Sequence, residues 1–335
     1  AQNGSYEAAG INAQFGDVNI TSQSGDINVG VAMQGQHLSG SGQKWVSALE
    51  ISNGTADLKA EQGNVNLSVS ANGENIAVVH YNGATAMPAS SPYDYIPDAA
   101  VVASSSLTGK NINLTGTVGA DGSSAINHII GINATHTHKK ETFVISADER
   151  FTLNVTAVDN GGATSATGVY VGYALYPDGY GGYVYNNGAS YVLALGAKEA
   201  EINARVEAGT GLSADSRSVG IEASGHKFAI MSDSEDNLWR DAYDGSGNKI
   251  PNTTTLGYTT AYDFDAVNQL TISAEGATHN TGILSADAEI PMGGSSYYAP
   301  STVDIRADSL TVTATGNPEA GSTSSSVGIA ATGQS

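Results

Sequence analysis

Short stretches of the chain alternate apolar and polar residues, and Gly, Ser, Thr and Asn separate these stretches. Near the end of the chain, Leu310, Val312 and Ala314 alternate with Thr311 and Thr313. Successive side chains of a β-strand point to opposite faces, so this alternation predicts strands with one face in a core. Related stretches recur, each followed after a polar loop by a short strand with Gly-Ile or a similar pair. The copies are 101–115 with 130–134, 143–157 with 167–170, 191–208 with 218–223, and 262–274 with 281–284.

Each copy has the order strand, turn, strand, loop, strand, and no copy can bury its own apolar face. Stacked copies would share one continuous core. The pattern therefore predicts an all-β fold, a right-handed parallel β-helix of roughly ten coils that is about 50 Å long at ~4.8 Å per coil. We expect residues 1–335 to form a single β-helix. Both ends fall inside a copy, which indicates a fragment of a longer solenoid.

Polar excursions interrupt the repeat, and we interpret each as leaving it just after a Gly-Ile type strand. In a solenoid, insertions that follow the same strand of each repeat emerge on the same side of the molecule. We therefore expect these loop insertions along one edge. Both Trp and nearly all of the 16 Tyr lie in the excursions or on their flanks. The longer insertions are about 33–45, 80–98, 173–190, 225–260 and 287–300, and a short one spans 135–141.

The aromatic residues of these excursions predict a recognition surface. A rigid ring in a polar, Gly-containing loop offers a large contact area at low entropic cost. The alternative is that the rings fold back and seal the edge of the coils. The candidate ligand-binding residues are Tyr93, Tyr95, Tyr176, Tyr180, Tyr183, Tyr185, Trp239 and Tyr243.

The net charge of −20, from 33 acidic and 13 basic residues, argues against a nucleic-acid partner, because such binding depends on clustered Lys and Arg. It also disfavours an anionic membrane surface. We interpret the acidity as a means of keeping a long exposed surface soluble. The chain has no Cys, so its stability must come from stacking. Its apolar runs stay below the roughly 20 residues of a membrane-spanning helix.

Acidic residues gather in the longest excursion, where crowded carboxylates could bind Ca²⁺. Their spacing is not that of an EF-hand, and residues 244–248 fit a hairpin turn. We therefore expect no cofactor and keep Ca²⁺ as the alternative. His136 and His138 stand two apart but lack a clear third ligand, so we expect them to be exposed. The candidate metal ligands are Asp233, Glu235, Asp236, Asp241 and Asp244.

Catalytic motifs are missing from the sequence. It has neither a Gly-x-Ser-x-Gly elbow nor a Gly-Asp-Ser-Gly stretch, so no motif identifies a nucleophilic serine. β-Helix enzymes that cleave polysaccharides use grouped Asp, or Asp with Lys or Arg, whereas the basic residues here are scattered. We expect a protein that is not an enzyme, and a polysaccharide-degrading enzyme is the least favoured alternative.

The repeated Leu-Thr-Val-Thr-Ala and Ser-Val-Gly-Ile-x-Ala patterns resemble the passenger domains of Gram-negative autotransporters, which use type V secretion. They resemble filamentous-haemagglutinin-like exoproteins less closely. The resemblance covers nearly all of the chain outside the excursions. It implies a right-handed β-helix that is displayed on the bacterial cell surface or secreted. It also implies a signal peptide and a C-terminal membrane barrel, neither of which is in this sequence.

Passenger domains are commonly adhesins, while others are proteases or esterases. The resemblance therefore favours a fragment of a cell-surface adhesin, exposed at the outer membrane or secreted. The expected partner is a host surface glycan or protein, or a second copy of the chain, with membrane attachment only through the missing barrel. The main alternative is a passive β-helical stalk that carries another domain.

Overall fold

The part of the chain that the structure, a computed structural model, describes has the following ranges: 8–14, 16–38, 45–52, 54–82, 102–120, 122, 126–136, 140–173, 176–177, 183–184, 190–225, 227–231, 239–243, 249–256, 267–292, 295–299, 301–317 and 324–333. The residues in these ranges form strands, bends and turns, and none of them lies in a helix. A search of the same ranges accordingly finds no helix able to cross a membrane.

The described residues form 26 strands. The first thirteen are β1 (Ala8–Gln14), β2 (Asp17–Ser22), β3 (Ile27–Leu38), β4 (Val46–Ser52), β5 (Thr55–Ala60), β6 (Val65–Gly73), β7 (Ile76–Asn82), β8 (Val102–Val118), β9 (Asn127–His136), β10 (Lys140–Asn160), β11 (Thr164–Tyr173), β12 (Tyr176–Pro177) and β13 (Tyr183–Val184). The others are β14 (Ser190–Gly196), β15 (Glu199–Gly211), β16 (Arg217–Ser224), β17 (Lys227–Met231), β18 (Trp239–Tyr243), β19 (Lys249–Leu256), β20 (Gln269–Glu275), β21 (His279–Ala286), β22 (Ala288–Met292), β23 (Ser295–Ala299), β24 (Thr302–Ile305), β25 (Ser309–Thr315) and β26 (Ser325–Thr332).

Eight strands form one sheet, called sheet 1, in the order β1-β4-β7-β9-β11-β16-β21-β26. Every neighbouring pair in it is parallel. Sheet 1 collects the short strands that the sequence analysis identified by Gly-Ile or Gly-Val, such as β9, β11 and β16.

Twelve strands form sheet 2, which has two wings that share the long strands β8 and β10. The first wing has the order β2-β5-β8-β10-β14-β17-β24, and the second has the order β3-β6-β8-β10-β15-β20-β25. All pairs in both wings are parallel. The pairing register of β10 with β8 shifts between Ala147 and Arg150, where β10 passes from the first wing to the second.

The chain therefore follows a fixed order of first wing, second wing and sheet 1. The strands β5, β6 and β7 form one such unit, and β14, β15 and β16 form another. Each strand pairs with its counterpart in the next unit, which confirms the prediction of an all-β chain built from parallel sheets. Within the described residues, sheet 1 holds eight strands, compared with the roughly ten coils that the sequence predicted.

Aliphatic residues at equivalent positions stack in columns that form the core. One column in sheet 1 contains Ile11, Leu49, Val79, Ile132, Val169, Ile221, Ile283 and Ile329. A column in the second wing contains Val29, Leu67, Leu114, Leu153, Ile202, Ile272 and Val312. From Leu49 to Ile221 and from Leu67 to Ile272, these side chains are at most 1% exposed. Their burial supplies the hydrophobic stabilisation of the stack.

A glycine precedes the inward-facing aliphatic residue in six strands of sheet 1. A Cβ atom on Gly220 would lie 2.5 Å from the carbonyl oxygen of Gly282 and 2.5 Å from Cγ2 of Ile272. None of the six has a positive φ, so a left-handed backbone does not require them. Five of them are required by close approach, and Gly328 is the exception because a Cβ atom there would meet nothing within 4 Å. In β7, Val78 takes this position, and Gly116 in the second wing makes room for it. The six glycines are Gly10, Gly131, Gly168, Gly220, Gly282 and Gly328.

Four excursions leave the repeat at the same corner, between sheet 1 and the first wing. They follow β7, β9, β11 and β21. Two others leave elsewhere, because one follows β3 and the longest follows β17. The prediction that every excursion leaves at one phase is therefore wrong for these two. Stacking constrains the strands and leaves any corner between them open to an insertion.

Three predicted insertions also begin later than expected, since β3 continues to Leu38, β7 continues to Asn82 and β17 lies inside the range 225–260. In β17, Phe228 pairs with Tyr191 of β14 and with Val303 of β24. Phe228 is buried, which is the physical reason why this segment is part of the scaffold. The longest insertion thus starts after Met231.

We expect Gly220→Ala to lower the free energy of unfolding by about 1–3 kcal/mol, because the added methyl group overlaps the backbone of Gly282 and the side chain of Ile272. Urea unfolding followed by circular dichroism measures the change. Gly328→Ala is the matched control, because a Cβ atom there would meet nothing within 4 Å. Equal effects of the two substitutions would contradict the close-approach explanation.

Candidate functional site

Half of the predicted ligand-binding residues lie in described strands, and all of these strands belong to excursions. Tyr176 is in β12, Tyr183 is in β13, and Trp239 and Tyr243 are in β18. The other four lie outside the described residues: Tyr93, Tyr95, Tyr180 and Tyr185.

Three excursions contain two-stranded antiparallel hairpins, which differ from the parallel pairing of sheets 1 and 2. In β12–β13, Tyr176 pairs with Val184. In β18–β19, Trp239 pairs with Leu256, and in β22–β23, Ile290 pairs with Tyr297. The hairpins β12–β13 and β22–β23 leave the common corner after sheet 1, whereas β18–β19 follows the first wing. Aromatic residues therefore lie in antiparallel hairpins that are inserted between strands of the stacked scaffold.

The predicted metal ligands lie mostly outside the described residues. Asp241 is in β18 and pairs with Thr254, while the ranges 232–238 and 244–248, with Asp233, Glu235, Asp236 and Asp244, are not described. His136 ends β9 opposite Tyr173, and His138 is also outside the described residues. Within the described ranges, no group of three or more His, Cys, Asp or Glu side chains is placed to hold a metal ion.

The outer face of sheet 1 carries buried polar residues in β4, β7 and β9 that the sequence analysis did not predict. Glu50, His80 and Asn133 occupy neighbouring register positions on these three strands. His80 and Asn133 are each 1% exposed, and Glu50 is 8% exposed. This patch, called the His80 cluster, is defined by these three residues together with Trp45.

Within the His80 cluster, the imidazole contacts two neighbours. The ring of Trp45 stacks on it with centroids 4.2 Å apart and planes inclined by 18°. Its Nδ1 lies 3.0 Å from the amide nitrogen of Asn133. Burial lowers the pKa of His80 to about 3, so the imidazole is neutral at pH 7. The Ser47 hydroxyl donates to Glu50 Oε2 at 3.5 Å.

His128, also in β9, lies near Glu74. Burial lowers the pKa of His128, and the negative charge of Glu74 opposes this effect. Sheet 1 thus holds two imidazoles whose charged form is disfavoured by burial.

A shallow polar groove of about 500 Å³ lies beside the middle of β15 and the C-terminal ends of β20 and β25. Arg205 Nε lies 3.5 Å from a carboxylate oxygen of Glu207 and 3.6 Å from one of Glu275. Both pairs are largely exposed to solvent, so they add little stability. Thr315 and Asn317 complete the polar lining. The groove contains none of the residues that the sequence analysis singled out.

Comparison with protein-family models, with curated proteins and with solved structures gives no match to this chain. Its function is therefore inferred from the geometry of its own strands, hairpins and buried polar groups.

Sequence reasoning missed the His80 cluster because it placed His80 at the start of the 80–98 excursion. A usable signal was present. In sheet 1, the position before the inward-facing aliphatic residue holds Ala48 in β4, Val78 in β7 and Gly131 in β9. Two residues after this position lie Glu50, His80 and Asn133, respectively. Alternation predicts that these residues point away from the core. It does not predict that an outward-facing residue will be covered, since covering depends on contacts far along the chain.

We expect the chain to lose stability in acid because of His80. Its pKa in the folded chain, about 3, is below the ordinary value of 6.5, so the unfolded chain takes up the proton first. The contribution of neutral His80 is fully present above pH 6.5 and is lost as the pH falls toward 3, with a loss of roughly 3 kcal/mol by about pH 4.

Urea unfolding from about pH 7.5 to about pH 4 tests this expectation. The His80→Gln variant should show a shallower fall in the free energy of unfolding than the unsubstituted chain. His279→Gln is the control, because His279 is exposed. The same pH dependence in all three proteins would show that His80 does not contribute.

Proposed function

We propose that the chain is a right-handed parallel β-helix and that it forms part of a bacterial cell-surface adhesin of the autotransporter passenger type. The repeated order of first wing, second wing and sheet 1, with parallel pairing between units, supports this fold. Crossovers between parallel strands of one sheet are overwhelmingly right-handed, which supports the hand. An adhesin of this type is exposed at the outer membrane or is secreted.

The proposed binding elements are the aromatic-bearing hairpins of the excursions. The observation that carries this proposal is that Tyr176, Tyr183, Trp239 and Tyr243 lie in antiparallel hairpins inserted between the strands of a parallel scaffold. A rigid scaffold with variable inserted segments is a common arrangement for recognition, because insertions change the contact surface without changing the core. The ligand class is a host surface glycan or protein, or a second copy of the chain.

The net charge of the chain disfavours some classes of binding partner. A net charge of −20 disfavours nucleic acid and anionic lipid surfaces, since both repel an acidic protein. It is compatible with neutral glycans, which are bound by aromatic stacking and hydrogen bonds. We propose no cofactor and no catalytic residue for this function, with Ca²⁺ at the longest excursion as the alternative.

A passive stalk is the second candidate, and the outer face of the second wing favours it. There, the Asn66 amide donates to Asn28 Oδ1 at 2.8 Å, and the Asn113 amide donates to Asn66 Oδ1 at 2.8 Å. Farther along, the Asn203 amide donates to Asn154 Oδ1 at 2.8 Å. Side chains that bond along the stack stabilise the scaffold and have fewer groups left for a partner.

Shortening the hairpins separates the adhesin from the stalk. One variant replaces residues 174–189 by a short Gly-Ser linker, and a second replaces 232–266, which leaves β17 in place. We expect at least one of them to reduce binding on a glycan array and in a bead-adhesion assay about ten-fold or more, because the aromatic contacts are lost.

The matched control removes residues 40–42 from the 39–44 segment, which contains no aromatic residue. Circular dichroism should show that all variants keep their strands. Unchanged binding in both hairpin variants would reject recognition by these hairpins and favour the stalk. Release of reducing sugar from a polysaccharide would instead support the enzyme alternative.

A further inference from the structure

The hairpin β22–β23 extends directly from sheet 1. β21 ends at Ala286, and β22 begins two residues later at Ala288. The two strands of the hairpin pair over five consecutive positions, from Ala288 opposite Ala299 to Met292 opposite Ser295, without a shift in register. The hairpin β18–β19 has a register shift, and β12–β13 pairs at only two positions. The pairing of β22–β23 is therefore the most regular among the three described hairpins, although the sequence analysis assigned no binding residue to it.

Hydrogen bonds close the base of this hairpin. The backbone N–H of Ser301, which follows the hairpin, donates to Asp287 Oδ1 at 3.1 Å. The Ser301 hydroxyl lies 2.6 Å from the carbonyl oxygen of Ala286 and 3.1 Å from that of Ala223, so it bonds to two neighbouring strands of sheet 1. The backbone N–H of Asp287 donates to the carbonyl oxygen of Thr332 at 2.9 Å. These bonds fix the base of the hairpin to β16, β21 and β26.

The register of the hairpin divides its residues between two faces. Directly opposed residues of an antiparallel pair share a face, and successive residues of a strand alternate between faces. Ala288 is only 6% exposed, so the face that contains Ala288 turns toward the scaffold at the base. Glu289 and Tyr298 are opposed to each other and belong to the other face. The hairpin therefore places a Glu and a Tyr side by side on the face opposite to the buried one.

We infer that Glu289 and Tyr298 form a binding site for a neutral pyranose ring of an oligosaccharide. Such a ring has an apolar face of C–H groups that stacks on an aromatic ring, and hydroxyl groups that donate hydrogen bonds to a carboxylate. The Cβ atoms of a cross-strand pair are about 4.5–5.5 Å apart, so one sugar can contact both residues. An acidic sugar is disfavoured, because its negative charge would repel Glu289.

The closed base suits this hairpin to recognition. A mobile segment loses entropy when it becomes ordered in a complex, and a segment that is already held in place avoids much of that loss. Asp287 and Ser301 are positioning residues, because they hold the strands that carry Glu289 and Tyr298 and are not part of the site. The inference rests on the proposed function, since it assigns a ligand class to one hairpin of the adhesin.

A printed array of neutral oligosaccharides of glucose, galactose, mannose and N-acetylglucosamine tests the ligand class. We expect the unsubstituted chain to bind at least one of them. Tyr298→Ala should weaken that binding about ten-fold or more, because the stacking surface is lost, whereas Tyr298→Phe should retain most of it. Glu289→Gln should weaken it about three-fold or more, because an amide oxygen is a weaker acceptor than a carboxylate. The absence of binding to every oligosaccharide, or undiminished binding by Tyr298→Ala, would overturn the inference.

Ser301→Ala tests the role of the closed base. It removes the hydroxyl and should weaken binding about three-fold or more, because more of the hairpin must be ordered on binding, while circular dichroism shows unchanged strand content. Ser301→Thr keeps a hydroxyl and should restore most of the affinity. The matched control is Ser309→Ala, because Ser309 is exposed at the start of β25. Equal binding by Ser301→Ala and Ser309→Ala would reject the positioning role.

The variants that lack residues 174–189 or 232–266 separate this inference from the proposed function. If one of them loses adhesion to beads while Tyr298→Ala keeps it, recognition by hairpins stands and the site at Glu289 and Tyr298 is rejected. A loss in Tyr298→Ala alone supports the site. If no variant of any hairpin changes adhesion, both the site and the adhesin proposal are rejected.

Discussion

The glycine column of sheet 1 brings neighbouring strands of the scaffold into direct backbone contact. A Cβ atom on Gly220 would overlap both the carbonyl oxygen of Gly282 and the side chain of Ile272, and the other inner glycines of the column have equivalent neighbours. This contact fixes how closely sheet 1 approaches the second wing. The approach recurs in the units that have an inner glycine, whereas β4 and β7 have Ala48 and Val78 at this position. It holds the aliphatic columns of sheet 1 and the second wing against each other.

The same constraint explains how the excursions are accommodated. Stacking restrains a strand through its neighbours above and below, but it does not restrain the length of chain between two strands. The entropic cost of a longer loop rises slowly with its length, so a hairpin such as β18–β19 can be inserted at a corner with little effect on the core. The excursions consequently leave at three corners of the unit, and four of them share one corner.

Polar side chains of the scaffold differ in their exposure to solvent. On the outer face of the second wing, Asn28, Asn66 and Asn113 bond along the stack and remain within reach of solvent. On the outer face of sheet 1, His80 and Asn133 are covered, and burial lowers the pKa of His80 to about 3. Because the buried imidazole resists protonation, it lowers the free energy of unfolding at acidic pH. This distinguishes the region from the solvent-exposed Asn residues of the second wing. It lies close to the C-terminal ends of β7 and β9, which are followed by excursions other than those that carry the hairpins β12–β13 and β18–β19.

Most of the scaffold could be predicted from local patterns. Alternation at Leu310, Val312 and Ala314 indicated strands, and the glycine of each Gly-Ile pair identified the strands of sheet 1, because both signals reflect which face of a strand is buried. The strand Lys227–Met231 was missed because it lies beside an excursion and is too short to show a period of its own. Its place depends on pairing with β14 and β24, which are distant in the chain.

The His80 cluster depended on the fold in the same way. Position two after the glycine places Glu50, His80 and Asn133 on an outer face, where polar residues are expected to meet solvent. Their burial arises only when strands far apart in the sequence align and residues such as Trp45 close over them. Alternation along one strand reports the face to which a side chain belongs, whereas contacts between strands decide whether that face is exposed.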